Sequence, residues 1–104
     1  MLAAIAVEQE GPDPLIPETL AQSRFLYIME LEDGVVSAML PMACEQDAVR
    51  VISEQGCRAL ICGQIGAEAR KALRRLEIQC FDGYLYRVQQ VRRLLYTGVL
   101  PGIK

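Results

Sequence analysis

The sequence contains no histidine and no tryptophan. Without histidine there is no Ser-His or Cys-His nucleophile pair, no imidazole base and no imidazole metal ligand in this chain. Aromatic residues are few: Phe25, Tyr27, Phe81, Tyr84, Tyr86 and Tyr96. Nucleic-acid binding draws on stacking rings or a strongly basic balance, and an acidic chain with six scattered rings points away from it. No apolar run approaches the roughly 20 residues a membrane span needs. The stretch from Met1 to Val7 is apolar but short, lacks a basic leader and runs into Glu8-Gln9-Glu10, so it does not read as a secretory signal. A cytoplasmic protein with reduced thiols is the expectation. Four cysteines are present, Cys44, Cys57, Cys62 and Cys80, but none forms a CxxC pair. Their spacing matches neither a zinc ribbon nor a ferredoxin-type cluster site.

What is present is an ordinary globular composition. The 104 residues are 52% hydrophobic and 23% charged, with a net charge of −2. That size fits one domain, read here as residues 1–98 with a C-terminal tail at 99–104. Charge is unevenly divided: residues 1–49 hold Arg24 as their one base, whereas most bases lie beyond residue 49. Arg70, Lys71, Arg74, Arg75, Arg87, Arg92 and Arg93 fall at spacings that coat the solvent sides of two helices.

Ala3 to Val7 predicts a buried strand, followed by a proline-rich loop through Gly11-Pro12-Asp13-Pro14 and Pro17. Arg24–Glu32 and Val35–Leu40 flank Asp33-Gly34, the strongest hairpin turn in the chain, and Pro41 stops the second strand. From Glu45 the apolar period becomes helical through Ala48, Val49, Val51 and Ile52, with Gly56 as a stop. Cys57–Cys62 and Glu77–Phe81 predict strands; Ala67–Leu76 and Val88–Tyr96 predict helices; Leu100–Lys104 reads as a loose end. Strand–helix–strand steps require parallel neighbours and the hairpin an antiparallel pair. The expectation is therefore α/β: a mixed five-stranded sheet with helices on both faces.

In such sheets, ligands gather outside the carboxyl ends of the parallel strands. Three segments converge there: the loop from Gln9 to Gln22, the Pro41–Asp47 connection, and Gly63-Gln64-Ile65-Gly66. The last leads into a helix N-terminus, whose N–H groups favour an anion. It is also what a tight βα turn alone would look like. Cys44 and Cys62 fall at strand ends on this side, where thiolates suit metal–sulfur chemistry, while Met39 and Met42 add thioethers. Packing is the other reading of all four, as it is for Cys57 and Cys80. Glu8, Glu32 and Asp82 are the acids near strand ends that a two-metal nuclease would need, but the hairpin puts Glu32 at the opposite end from Glu8.

The stretch LICGQIGAEARKALRRLEIQCF resembles the signature of the dinitrogenase iron–molybdenum cofactor biosynthesis family: apolar strand, G-G-I-G, helix with a central A-L, then a further strand. The likeness extends back through FLYIMELEDGVV and forward through VQQVRRLLYTGVL. It implies a ribonuclease-H-like fold and a small non-enzymatic carrier of an iron–molybdenum or related metal–sulfur cofactor. Cofactor-assembly proteins are the implied partners; composition points to neither nucleic acid nor membrane. On this resemblance Gly63, Gln64, Ile65, Gly66 and Thr19 would bind the cofactor, while Cys44 and Cys62, by their place at strand ends, would be thiolate metal ligands in place of the family's histidines. The chain departs from the family where it has Thr19-Leu20-Ala21-Gln22 for a His-Phe-Gly-Arg-like segment, Pro41-Met42-Ala43-Cys44-Glu45-Gln46 for a Gly- and His-rich one, and Gln64 for the second loop glycine. The alternative is an interaction scaffold that kept the fold and lost the cofactor, and a homodimer belongs with that reading.

Overall fold

Two central strands, buried along almost their whole length, organise the molecule. β1 (Leu2–Val7) and β4 (Ala59–Cys62) carry nearly uninterrupted apolar residues because both of their faces are covered. A computed structural model describes residues 1–103, with β2 (Phe25–Glu30), β3 (Val36–Pro41), α1 (Glu45–Gln55), α2 (Ala67–Arg75), β5 (Gln79–Asp82) and α3 (Val88–Tyr96) completing the chain. The sheet runs β3-β2-β1-β4-β5. β1 pairs antiparallel with β2 and parallel with β4; β2–β3 is antiparallel and β4–β5 parallel. This is the expected mixed five-stranded sheet, and its order agrees with a ribonuclease-H-like arrangement.

Alternation along the strands divides the core in two. Ala4, Ala6, Leu26, Ile28 and Leu60 meet Ala48 and Ile52 of α1 and Ala69 and Leu73 of α2. Ala3, Ile5, Val7, Tyr27 and Ile61 meet Val88 and Val91 of α3. Helices thus lie on both faces. The loop after β1 is fastened at two places. Tyr27 donates its hydroxyl to the Gly11 carbonyl (2.7 Å), while the Gly11 N–H donates back to the Tyr27 hydroxyl oxygen (2.8 Å). Farther along, Ile16 N–H donates to the Tyr86 carbonyl (2.9 Å) and Leu85 N–H to the Ile16 carbonyl.

The hairpin strands are shifted from the sequence reading: β2 ends at Glu30 rather than Glu32, and β3 runs Val36–Pro41, with Pro41 as its last residue rather than its stop. Three further differences have a local cause. Gly56 adopts φ 72° and Cys57 N–H donates to the Ile52 carbonyl, so Cys57 closes α1 and the strand begins at Ala59. Glu77 takes φ 59° and Ile78 N–H reaches back to the Leu73 carbonyl, which moves the start of β5 to Gln79. The tail is not loose over its described part. Ile103 N–H donates to the Cys80 carbonyl and Asp82 N–H to the Pro101 carbonyl, both 2.8 Å, and Leu100 is buried. Lys104, the last residue of the expected tail, lies outside the described residues.

Candidate functional site

Because β1, β4 and β5 are parallel, Val7, Cys62 and Asp82 end on one side, joined there by the start of β2 and the end of β3. Gly63 sits where the chain leaves β4 against the loop after β1. A Cβ at Gly63 would fall 2.0 Å from the Glu18 carbonyl oxygen and 2.5 Å from that of Pro17. Only glycine admits that approach. It allows Gln64 N–H to donate to the Glu18 carbonyl (2.7 Å) and Leu20 N–H to the Gln64 carbonyl (2.8 Å). Thr19 and Gln64 thereby form a parallel bridge, and Ile65 turns into the core.

At the far end of the loop, Gly66 caps α2 and donates its N–H to Glu45 Oε2 (2.8 Å). The helix start that favours an anion is met by a carboxylate of the chain itself. Thr19 is likewise engaged. Its Oγ1 accepts from Gln22 N–H (3.2 Å) while its own N–H donates to Gln22 Oε1 (3.0 Å), a reciprocal cap on the short turn Leu20–Gln22.

The two candidate metal-binding cysteines part company. Cys44 is exposed at the N-cap of α1, where its side chain makes no capping bond. Cys62 is fully buried, and burial, followed by the charges of Cys80, Asp82 and Glu45, pushes its thiol well above the usual range. It remains a protonated packing group at neutral pH. Burial likewise pushes the Cys57 thiol up to about 11 and raises that of Cys80, where Arg70 opposes the shift. All four cysteines are free. Among the described residues no group of three His, Cys, Asp or Glu side chains is placed to hold a metal ion. Glu8 follows β1 at the carboxyl end and Glu32 lies in the β2–β3 turn, at opposite ends of the sheet.

A cleft of about 470 Å³ opens beside this loop, between residues 21–24 and Met42–Ala43, with Glu8 on its wall. Ser23 lines it with 4% of its surface exposed, and among the described residues its Oγ has no hydrogen-bond partner. The adjacent Arg24 is exposed. Ala43 N–H is already held by Asp47 Oδ2 (2.9 Å), which together with Arg50 keeps the Asp47 carboxyl below its usual range. Neither Ser23 nor Glu45 stood out in the sequence. A polar Ser-Arg pair directly before an apolar strand was the signal for the first; the second pairs across 21 residues and has none.

A small mixed α/β domain whose loops collect at the carboxyl end of its parallel strands is the class this arrangement defines. The dinitrogenase iron-molybdenum cofactor family model matches residues 1–98, and the chain belongs to that family. The apo form of the orange protein from Desulfovibrio gigas has a similar fold, with TM-score 0.85 at 17% identity over 98% of this chain and 92% of that one. A candidate NifB protein from Thermotoga aligns with TM-score 0.80 at 17% identity, over 97% and 91% of the two chains. A candidate dinitrogenase from Methanocaldococcus jannaschii aligns with TM-score 0.70, also at 17% identity, over 97% and 94%. No curated protein matches the sequence significantly. No helix among the described residues is long and apolar enough to cross a membrane.

Proposed function

We propose that the chain is a non-enzymatic carrier whose cargo is an iron–molybdenum or related metal–sulfur cofactor. The family match over residues 1–98 carries this reading. The cargo sits at the carboxyl end of the sheet, where Thr19, Gly63, Gln64, Ile65 and Gly66 frame the site. Their loop serves as a wall, since the Gln64 and Gly66 N–H groups are spent on Glu18 and Glu45. Ser23 Oγ and the Arg24 guanidinium in the adjoining cleft are side-chain donors open to an anionic cargo. Of the two candidate thiols Cys44 is the accessible one, whereas Cys62 supports the loop from below. The working environment is the reducing cytoplasm, with cofactor-assembly proteins as partners.

Anaerobic expression with iron, sulfide and molybdate tests the proposal by metal analysis and visible absorption. Stoichiometric metal is the expected result. Its loss in Cys44→Ser assigns thiolate ligation, and its loss in Ser23→Ala or Arg24→Gln assigns the cleft. A colourless, metal-free protein from such cells overturns carriage. That outcome favours the second reading, an interaction scaffold, which is supported by the absence of histidine and by the Glu45 carboxylate on the Gly66 N–H.

A further inference from the structure

The two edges of the sheet are finished differently. Beyond β5 the chain covers its own edge, with Gly102 bridging Phe81 and residues 101–103 bonded to Cys80 and Asp82. Beyond β3, among the described residues, no strand pairs. Natural proteins blunt exposed edges with charge, proline, bulges or a covering segment. This edge has a bulge near Ile28–Met29 and a terminal Pro41, but no charged residue occurs between Asp33 and Glu45. Val35, Val36 and Met39 are 56%, 37% and 53% exposed.

The backbone specifies what fits there. Met42 N–H donates to the Arg24 carbonyl (2.9 Å), so by the alternation of an antiparallel ladder Leu40 and Ala38 also face β2. Met39 and Pro41 therefore turn their main-chain groups outward, and Pro41 has no N–H to offer. We propose that β3 is the seam of a homodimer, two copies pairing antiparallel about Met39 into one continuous sheet. A two-fold axis there lets each Met39 donate its N–H to the Met39 carbonyl of the other copy. The donorless Pro41 then lies across from Ser37, the residue that the bulge leaves without a partner on β2, so the regular bonding of the seam centres on Met39.

Charge favours a second copy as the occupant. The seam is neutral in both copies, so no like charges stand opposite one another. Arg24, alongside Met42, is carried toward the Asp33 end of the other copy. Glu45 and Asp47, the acids at that same Met42 end, are already held by the N–H groups of Gly66 and Ala43. Met39 shares a face with Tyr27, beside a cleft of about 450 Å³ walled by Gly11 and Pro12. The second Met39 lands over the same cleft and covers its apolar wall. A six-residue strand spans only about 20 Å. The dimer is accordingly weak, with a dissociation constant of about 10–100 μM, as small interfaces give.

Sedimentation velocity of the full chain from about 5 to 500 μM reads the association. A dimer fraction that rises across this range is expected. Met39→Lys, which sets two ammonium groups against each other, should leave less than about a tenth of it. Met39→Pro, which removes the central donor, should do the same, with an unchanged circular dichroism melt of Met39→Lys establishing that the fold persists. A monomer throughout the range overturns the proposal, even if β3 then accepts an extended peptide of another protein. A dimer indifferent to both substitutions overturns it too, because its interface lies elsewhere.

Discussion

Gly63 and Gly66 bracket one four-residue loop and look equivalent in the sequence, yet they are glycines for different reasons. At Gly63 the added carbon would meet main chain, with the Glu18 carbonyl oxygen 2.0 Å away. At Gly66 it would meet the end of a side chain, Glu45 Oε1 at 2.7 Å, and the backbone there has an ordinary φ of −64°. The first is fixed by the strand-like bonds that its neighbour Gln64 makes to Glu18 and Leu20, which cannot move without the fold. The second is held by a carboxylate that can swing into solvent. A glycine loop that invites comparison with an anion cradle is thus half architecture and half a charge contact made within the chain.

The largest effect expected is from Gly63→Ala, which should cost about 3 kcal/mol or more in urea denaturation, since neither carbonyl can yield. A loss under about 1 kcal/mol would erase the distinction. The anchoring of the loop to the core should also show in alkaline stability. Cys57, and more so Cys62 just before Gly63, keep their protons in the folded chain above the ordinary thiol value of 9.0. The unfolded chain releases those protons first, so their contribution is fully present below about pH 9 and is lost as pH rises toward about 11 at Cys57. Denaturation midpoints measured from pH 8 to 11 should hold and then fall, and the fall should shrink in Cys57→Ala.

Smaller still is Glu45→Ala, expected to cost about 1 kcal/mol for the lost acceptor at the Gly66 N–H and its helix. The same variant frees that N–H, so anaerobic reconstitution should show metal uptake equal to or above that of the parent. Reduced uptake would mean the carboxylate assists cargo. The least effect is expected from Gly66→Ala, within about 1 kcal/mol, and it should vanish in the Glu45→Ala background, a coupling that a double-mutant cycle reads directly. The same cycle with Gly63→Ala should show simple additivity.

Element order was legible because it rests on local signals. Asp33-Gly34 announces the hairpin, and Gly34 indeed takes φ 75° with Val35 N–H donating to Asp33 Oδ1. Gly56 marks the end of α1 for the same reason. The start of β5 was misplaced because Glu77, not glycine, adopts the left-handed turn. The strap along β5 went unseen because main-chain bonds leave no mark on side-chain pattern. At the candidate site, the convergence of three loops followed from topology. Who already occupies their donors did not, since Glu45 with Gly66, and Glu18 with Gln64, meet only through the fold. Nor could spacing separate Cys44 from Cys62, one exposed before a helix and the other sealed beneath the loop.

The pair of hydrogen bonds between Tyr27 and Gly11 has an optical consequence. With no tryptophan in the chain, ultraviolet emission comes from four tyrosines, and of these Tyr27 is the one buried in the core. Its hydroxyl is tied to the loop that runs on to Thr19. Tyrosine fluorescence, compared between the parent and Tyr27→Phe, is therefore a built-in gauge of that loop. It reads the clasp from inside the protein, without a label, while cargo or a second copy is added.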